Sequence, residues 1–317
     1  MNKTASTRND PTLSTIMLGY MNQAEQFIAD QIYKGVKVAK KTGDIRTFGS
    51  TSQRVVNTIQ GSGESKTLTF EVTKASAWSL DKHALKALIT EDDMDQLGDQ
   101  EAKNTGMDAI VEALLIAREY AVATAITSTS TYTNDTTLTG TSQWSDYDNS
   151  DPVSDLQAGR EAVRGGCGKR PNTAIMSATV YDKLIQHPDF LSAARYKGED
   201  SVSFSRLKGL LFPGQPEGNV SVLVGEARYE SAKEGATDSY TDIWGKHFIY
   251  AYIDKAPNPR KPQSTFTAKF FKGKGAIAAK KWTEPDTDPG LWEKGEWEYD
   301  DVILDELCGY LIYNAVA

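Results

Sequence analysis

A long helical pattern directly follows a long extended segment, and this pairing constrains the fold more than any other feature of the chain. Apolar residues recur at helical spacing from about Thr90 to Ile126, with a break expected near Gly98 or Gly106. At 1.5 Å per residue, such a helix reaches roughly 45 Å, which exceeds an average globular helix. It is either a spine that crosses the whole molecule or two ordinary helices joined near Gly106.

The extended segment, residues 44–86, has the pattern of a β-hairpin. Its second leg alternates apolar and polar side chains, with Leu68, Phe70 and Val72 on one face. The turn falls at Gly61-Ser62-Gly63-Glu64, because glycine adopts positive φ without strain. An isolated two-stranded hairpin is only marginally stable in water. The sequence therefore predicts that the hairpin lies on another surface and that the chain packs against copies of itself.

An amphipathic helix is predicted near the start of the chain, beginning at Ser14. Its apolar face includes Met17 and Phe27 and continues to Ile32. Two placements fit this pattern. The helix packs on the core of its own chain, or it forms an N-terminal arm that lies on a neighbouring subunit.

Composition excludes several classes of function. The 317 residues, 39% of them apolar, suffice for a core divided over two domains. A net charge of −8 argues against tight nucleic-acid binding, but permits a protein that encloses DNA without sequence-specific contacts. No apolar run approaches a membrane span or a secretion signal, so we expect synthesis in the cytoplasm and no membrane partner. Cys167 and Cys308 are far apart in sequence and fit a reducing compartment.

No motif for catalysis, a cofactor or a metal ion stands out. The glycine-rich stretch from Gly165 to Arg170 lacks the Ser or Thr of a phosphate loop, and we predict a helix-ending turn there. The three histidines are scattered, and His187, beside Pro188, is expected to cap a helix. The acidic side chains around Asp151 are explained by the dipole of the helix that begins there. We predict a non-enzymatic protein without catalytic, cofactor-binding or metal-binding residues.

Helix and strand patterns alternate over about residues 148–254, which predicts a compact α/β layer domain. The strand-rich end of the chain is expected to rejoin the long helix. Eight basic residues lie in 254–281 and ten acidic residues in 284–306. These oppositely charged segments either pair within one subunit or meet across a subunit interface.

Several short motifs then follow one another in an order that resembles a known family. They are Trp144-Ser145-Asp146-Tyr147, Ser150-Asp151-Pro152, the run from Arg170 to Met176, Val222-Leu223-Val224-Gly225, Ala227-Arg228-Tyr229 and Gly309-Tyr310-Leu311-Ile312. Their order and spacing resemble the major capsid proteins of tailed double-stranded-DNA bacteriophages over residues 44–317.

The resemblance implies an α+β fold in four parts. These are an N-terminal arm (1–43), an extended β-hairpin loop (44–86), a peripheral domain with a long spine helix (87–147 and 255–317) and an α/β axial domain (148–254). It implies a structural virion protein that self-assembles into pentamers and hexamers, forming the icosahedral shell around phage DNA. Two alternatives stay open: a protein nanocompartment shell of the same fold, and a soluble α/β hydrolase or binding protein.

Particular side chains are predicted to form the assembly interface. They are Met17, Phe27, Leu68, Phe70, Val72, Trp78, Arg228 and Tyr229. Because only about 43 residues precede the loop, a separate scaffolding protein is expected, with a portal and a decoration protein as further partners.

Overall fold

The computed structural model describes residues 26–48, 72–196, 201–233, 235–256, 264–270, 278–283 and 290–317. The helices are α1 Ala29–Ile32, α2 Glu91–Leu97, α3 Asp99–Ile126, α4 Pro152–Cys167, α5 Ala178–Gln186, α6 Pro188–Arg195 and α7 Phe204–Leu211. The first seven strands are β1 Gly35–Val38, β2 Thr42–Phe48, β3 Val72–Ser79, β4 Asp81–Thr90, β5 Asp135–Thr137, β6 Thr173–Ser177 and β7 Ser221–Gly225. The others are β8 Arg228–Glu230, β9 Tyr240–Asp242, β10 Phe248–Ala251, β11 Thr265–Phe270, β12 Ala278–Thr283, β13 Gly290–Ile303 and β14 Gly309–Tyr313.

The long helical pattern forms a spine with one break. Gly98, at φ +87°, separates α2 from the 28 residues of α3. Glycine reaches this backbone conformation without strain. Gly106 lies inside α3, where a Cβ atom would be 3.0 Å from Ile89 Cδ1. This glycine therefore permits the close approach of β4, and the interpretation as two helices joined at Gly106 is wrong.

Strand β13 organises a five-stranded sheet that packs against α3. β4 pairs antiparallel with β13 along one edge, while β12 and β11 pair with the first and last parts of its other edge. β1 then adds parallel to β11. The basic and acidic segments therefore pair within one subunit, which is the first of the two alternatives. The acidic strand also meets bases from elsewhere, because Lys82 Nζ lies 2.7 Å from the buried Glu296.

The predicted hairpin is confirmed at its base. β2 and β3 pair antiparallel from Thr42 opposite Ser79 to Phe48 opposite Val72, and form a separate two-stranded sheet. The predicted turn lies outside the described residues. Residues 81–86, which the sequence pattern assigned to the loop, belong to β4, where pairing with β13 continues through them.

A second sheet, in the order β5-β14-β10-β6-β7, is buried on both faces. Helices α4 to α7 cover one face, and α1 with the end of α3 covers the other. Neighbouring residues alternate between the two clusters, with Phe248 and Tyr250 on the first and Ile249 on the second. β14 lies inside this sheet, between β5 and β10, and its Leu311 packs in the same cluster as Ile126 of α3. The chain end therefore rejoins the long helix through this sheet.

Short-range signals place the helices around the second sheet. The Asp151 side chain accepts a hydrogen bond from Ser154 N at 2.9 Å and caps α4, which ends at Gly168 with φ +70°. Ser177 caps α5 in the same way. The predicted helix-ending turn before Arg170 is thus confirmed.

Candidate assembly surfaces

The root of the hairpin is fixed to the body of the protein. Ile45 and Leu80 are buried together with Val302 and Leu304, which come from the end of β13 and the residue after it. The amide of Ser79 donates to Asp300 Oδ2 at 2.8 Å. The β2–β3 ribbon thus starts from a rigid base and pairs with no further strand in the part of the chain that the structure describes.

Trp78 closes the root from within the chain. Its indole Nε1 donates to the carbonyl of Lys40 at 3.3 Å, and its ring lies over Gly43. A Cβ atom at Gly43 would be only 2.2 Å from that ring, so only glycine fits this position. Trp78 is half-buried, and its assignment to a subunit interface stays a prediction.

The N-terminal segment is held by a buried carboxylate on α3. Glu119 accepts hydrogen bonds from the amides of Ile28 and Ala29, at 3.0 and 2.9 Å, and from Trp244 Nε1 at 2.7 Å. Burial raises the pKa of Glu119, whereas the three donors and Arg118 oppose this shift. Because all three partners donate, the ionised carboxylate satisfies them best.

Arg118, the preceding residue, joins three parts of the chain. Its guanidinium contacts Asp301 through Nε at 2.9 Å and Nη2 at 3.2 Å, and Asp30 through Nη1 at 2.6 Å. It also lies over the rings of Trp297 and Tyr299, at 4.9 and 5.0 Å from their centroids. Burial would lower the pKa of Arg118, but the two carboxylates outweigh it and raise the pKa.

Sequence reasoning missed this polar centre although a signal was present. The buried stripe of α3 contains Ile110, Leu114, Val122 and Ile126, each four residues or a multiple of four from the next. Residue 118 falls on the same stripe. A charged residue inside an apolar helical stripe requires a buried partner, although the sequence alone does not identify that partner.

The predicted interface residues fall into three groups. Met17, Leu68 and Phe70 lie outside the described residues, and Val72 is the first residue of β3. Phe27 is half-buried and packs on the cluster around Ile28 within its own chain. For this last part of the N-terminal segment, packing on the chain's own core is therefore what the structure shows.

Arg228 and Tyr229 form the third group and lie on a surface patch of aromatic residues. The ring of Tyr229 packs edge-on against Tyr120 of α3, with centroids 5.0 Å apart. Tyr120 is 46% exposed and Tyr240, on the paired strand β9, is 47% exposed. Arg228 Nε lies 3.0 Å from Asp242 Oδ1 across the two strands. We call these five residues the tyrosine patch.

Ser150, His187 and Asp189 are arranged like a hydrolytic triad, but the donor and acceptor roles in their hydrogen bonds are reversed. Ser150 Oγ lies 3.1 Å from His187 Nε2, and His187 Nδ1 lies 3.4 Å from Asp189 Oδ2. Ser150 donates its proton to the carbonyl of Asp146 at 2.6 Å, so Nε2 must donate to Ser150. Nδ1 then accepts the amide of Asp189 at 3.3 Å and caps α6.

This proton arrangement is opposite to the one that a general base requires, since the base must accept from the serine. Burial also lowers the pKa of His187, which favours the neutral ring. The predicted capping role of His187 is confirmed.

The described residues also give little support for a metal site, a ligand site or a membrane-spanning helix. No cluster of three or more His, Cys, Asp or Glu side chains could hold a metal ion there. A cavity of about 360 Å³ is lined mainly by apolar side chains, among them Ile28, Phe204 and Val222, with Glu226 as its carboxylate. None of the described helices is long and apolar enough to cross a membrane.

Comparison with known proteins identifies one family. The family model described as phage major capsid protein E matches residues 34–215. The chain is 30% identical over 251 residues to the major capsid protein of Burkholderia phage BcepMu, covering 77% of this chain and 76% of that protein.

Solved structures share the fold. A phage-related protein from Bordetella bronchiseptica RB50 has a TM-score of 0.70 at 23% identity, covering 96% of this chain and 97% of that one. A chain in the capsid structure of cyanophage P-SCSP1u has a TM-score of 0.53 at 12% identity, with 89% of this chain and 86% of that chain covered. An encapsulin from Synechococcus elongatus reaches 0.54 at 7% identity, with 95% and 94% covered. At these identities the likeness concerns the fold alone.

Proposed function

This chain belongs to the phage major capsid protein E family, and we infer that it is a structural subunit of the protein shell of a phage head. The match of the family over residues 34–215 carries this conclusion. The α+β fold of phage capsid subunits agrees with it. Because encapsulins share the fold, the fold does not separate a phage shell from a nanocompartment, whereas the family does.

The finer proposal is that subunits form pentamers and hexamers that close into an icosahedral shell around phage DNA. Contacts between different patches of identical subunits generate rings, and many weak contacts in a closed shell add up to a stable particle. An acidic chain, with net charge −8, suits a wall that encloses DNA without gripping it. Synthesis in the host cytoplasm, a separate scaffolding protein, a portal and a decoration protein belong to the same proposal.

Two surfaces are proposed to make the contacts between subunits. The first is the ribbon that leaves the body at β2 and β3, since its root is rigid and a hairpin needs a surface to lie on. The second is the tyrosine patch, because exposed tyrosines and an arginine are the residue types enriched at protein interfaces. The division into arm, extended loop, peripheral domain and axial domain is also proposed, with residues 81–86 moved from the loop to the peripheral domain because they belong to β4.

A truncation of the ribbon tests the first surface. Removing all of 44–86 would destroy Leu80 of the root and most of β4, so the deletion must be smaller. Phe48 and Val72 lie opposite each other in the antiparallel pair. Replacing residues 49–71 by Asn-Gly therefore closes the ribbon with a two-residue turn. We expect this variant to fold and to remain as unassembled subunits.

Two controls make that experiment decisive. A linker of Gly and Ser with the original length of 49–71 keeps the connection but removes its side chains, and it should also fail to assemble. Circular dichroism and melting should match the parent chain in both variants. Closed shells of normal size in electron micrographs of either variant would contradict a role for this segment in assembly.

Substitution within the tyrosine patch tests the second surface. Tyr120→Ser and Tyr229→Ser should raise the protein concentration at which shells form, because aromatic side chains contribute much of the energy of an interface. Tyr196→Ser is the matched control, since Tyr196 is 94% exposed and lies outside the patch. Light scattering against concentration measures the effect, and equal thresholds for all three variants would refute the assignment.

The enclosed material separates the phage shell from the nanocompartment. Particles from infected cells should hold nuclease-protected DNA of genome length. Particles that hold a co-purifying enzyme and no DNA would instead identify a nanocompartment.

A further inference from the structure

The two cysteines of the chain, 167 and 308, meet in the folded protein although 140 residues separate them. Cys167 is the last residue of α4, and Cys308 precedes β14. A Cβ atom on Gly166 would lie 3.0 Å from the carbonyl oxygen of Leu307, so the two chain segments touch just before the cysteines. Both thiols are free, and each lies close enough to the other to affect its pKa.

The two thiols differ in accessibility and in their surroundings. Cys167 is half-buried and its Sγ lies 3.8 Å from the carbonyl of Lys169. Cys308 is fully buried, and its Sγ lies 3.5 Å from Asp305 Oδ2. One thiol can therefore be reached by a small molecule in solution, whereas the other is closed off from solvent.

We propose that Cys167 and Cys308 are a redox-active pair that forms an intrachain disulfide when the folded chain meets an oxidised low-molecular-weight disulfide such as oxidised glutathione. Cys167 is the attacking thiol and Cys308 is the resolving thiol. The bond ties the C-terminal end of α4 to the start of β14. The proposal concerns the single subunit and does not rest on shell assembly.

The exchange proceeds in two balanced steps. The thiolate of Cys167 attacks one sulfur of oxidised glutathione, breaks its S–S bond and releases one glutathione, which takes up a proton. Cys308 then loses its proton to water, and its sulfur attacks Cys167 in the mixed disulfide and releases the second glutathione. Two protein thiols are oxidised and one small disulfide is reduced to two thiols.

The acidities of the thiols support this order. The neighbouring Cys308 thiol lowers the pKa of Cys167 to about 7 in spite of partial burial, so a large fraction is thiolate at neutral pH. The Cys167 thiol, burial and the carboxylate of Asp305 raise the pKa of Cys308, and the charge of the Cys167 thiolate adds to this rise. Once Cys167 is bound in a mixed disulfide, its charge is gone and Cys308 deprotonates more readily.

The disulfide should stabilise the chain because it closes a long loop in the unfolded state. The loop spans residues 167–308 and includes most of both large sheets. We expect the melting temperature to rise by about 5 °C after oxidation and to return to its original value after treatment with dithiothreitol.

The test incubates the folded full-length chain with oxidised glutathione and analyses it by intact-mass and non-reducing peptide mass spectrometry. We expect loss of both free thiols, a peptide that joins Cys167 to Cys308 and no accumulated adduct. Cys308→Ala should stop at one glutathione on Cys167, and Cys167→Ser should not react, since Cys308 is buried. Circular dichroism verifies that both variants are folded.

Two results would overturn the proposal. One is a parent chain that accumulates the glutathione adduct on Cys167 and never links the two cysteines. The other is a parent chain whose thiols both stay free under conditions in which Cys308→Ala becomes modified.

Discussion

The ion pair between Arg118 and Asp301 offers a quantitative test of how the chain is held together. Arg118→Met removes the guanidinium but keeps an unbranched side chain of similar length against Trp297 and Tyr299. It removes from the carboxylate of Asp301 the two hydrogen bonds that Arg118 donates, at 2.9 and 3.2 Å. A largely buried charge that loses its partner strongly destabilises the folded state.

The magnitude follows from the exposure of each partner. The side chain of Arg118 is 2% exposed and that of Asp301 is 13% exposed, so we expect roughly 3 kcal/mol for Arg118→Met, near the lower end for broken buried pairs. The contact with Asp30, which is 59% exposed, adds little. Asp301→Asn should cost about 2 kcal/mol, since the guanidinium keeps one neutral acceptor and Asp30.

The double variant separates pairing from burial. Arg118→Met with Asp301→Asn leaves no uncompensated charge, so we expect it to cost about 3 kcal/mol, well below the sum of the single changes. Urea unfolding of the unassembled chain, followed by tryptophan fluorescence, measures this. At a slope near 3 kcal/mol per molar, Arg118→Met should lower the midpoint by about 1 M.

A matched control is Arg164→Met on the exposed side of α4, which should change the free energy of unfolding by less than about 0.5 kcal/mol. The reasoning is refuted if the double variant loses the full sum of the two single losses. Additive losses would mean that Arg118 and Asp301 act independently in spite of their contact.

Two further predictions concern acid sensitivity and the hairpin root. Burial lowers the pKa of His247 from 6.5 to about 4. The neutral ring's contribution to the free energy of unfolding is therefore complete above pH 6.5 and is lost as the pH falls toward 4. The loss is about 2 kcal/mol after allowance for partial exposure. His247→Phe, which retains a ring against Tyr313, should lose less stability between pH 7 and pH 4.5 in urea titrations; equal losses would contradict this. Gly43→Ala should lower the melting temperature, because its Cβ atom would lie 2.2 Å from the Trp78 ring. Gly165→Ala in α4, whose Cβ atom would meet nothing within 4 Å, should increase the free energy of unfolding by up to ~1 kcal/mol and so raise the melting temperature. Identical melting of the two alanine variants would show that the root is not tightly packed.

Local patterns predicted much of the secondary structure. The break before α3 falls at Gly98, and the α4 cap is Asp151, because both depend on backbone conformations that glycine and aspartate favour at short range. The alternation that ends at Val72 predicted the β2–β3 ribbon. These features need no knowledge of distant residues.

Pairing between distant segments was harder to predict from the sequence. The charge pattern predicted that basic and acidic segments meet, and they pair within one chain as β11, β12 and β13. It did not predict that β4 would occupy the other edge of β13 or that Lys82 would contact Glu296. Many registers satisfy the same alternation, and the choice among them depends on which surfaces are buried together.

The sequence by itself determined local features such as the long helix, its break at Gly98 and the cap at Asp151, since these follow from residues a few positions apart. It also held the family resemblance that the comparisons confirmed. Only the tertiary structure decided that Arg118 meets Asp301, that β14 lies between β5 and β10, and that Cys167 meets Cys308. Such contacts depend on how whole layers pack, and residues more than a hundred positions apart leave no periodic signal of their meeting.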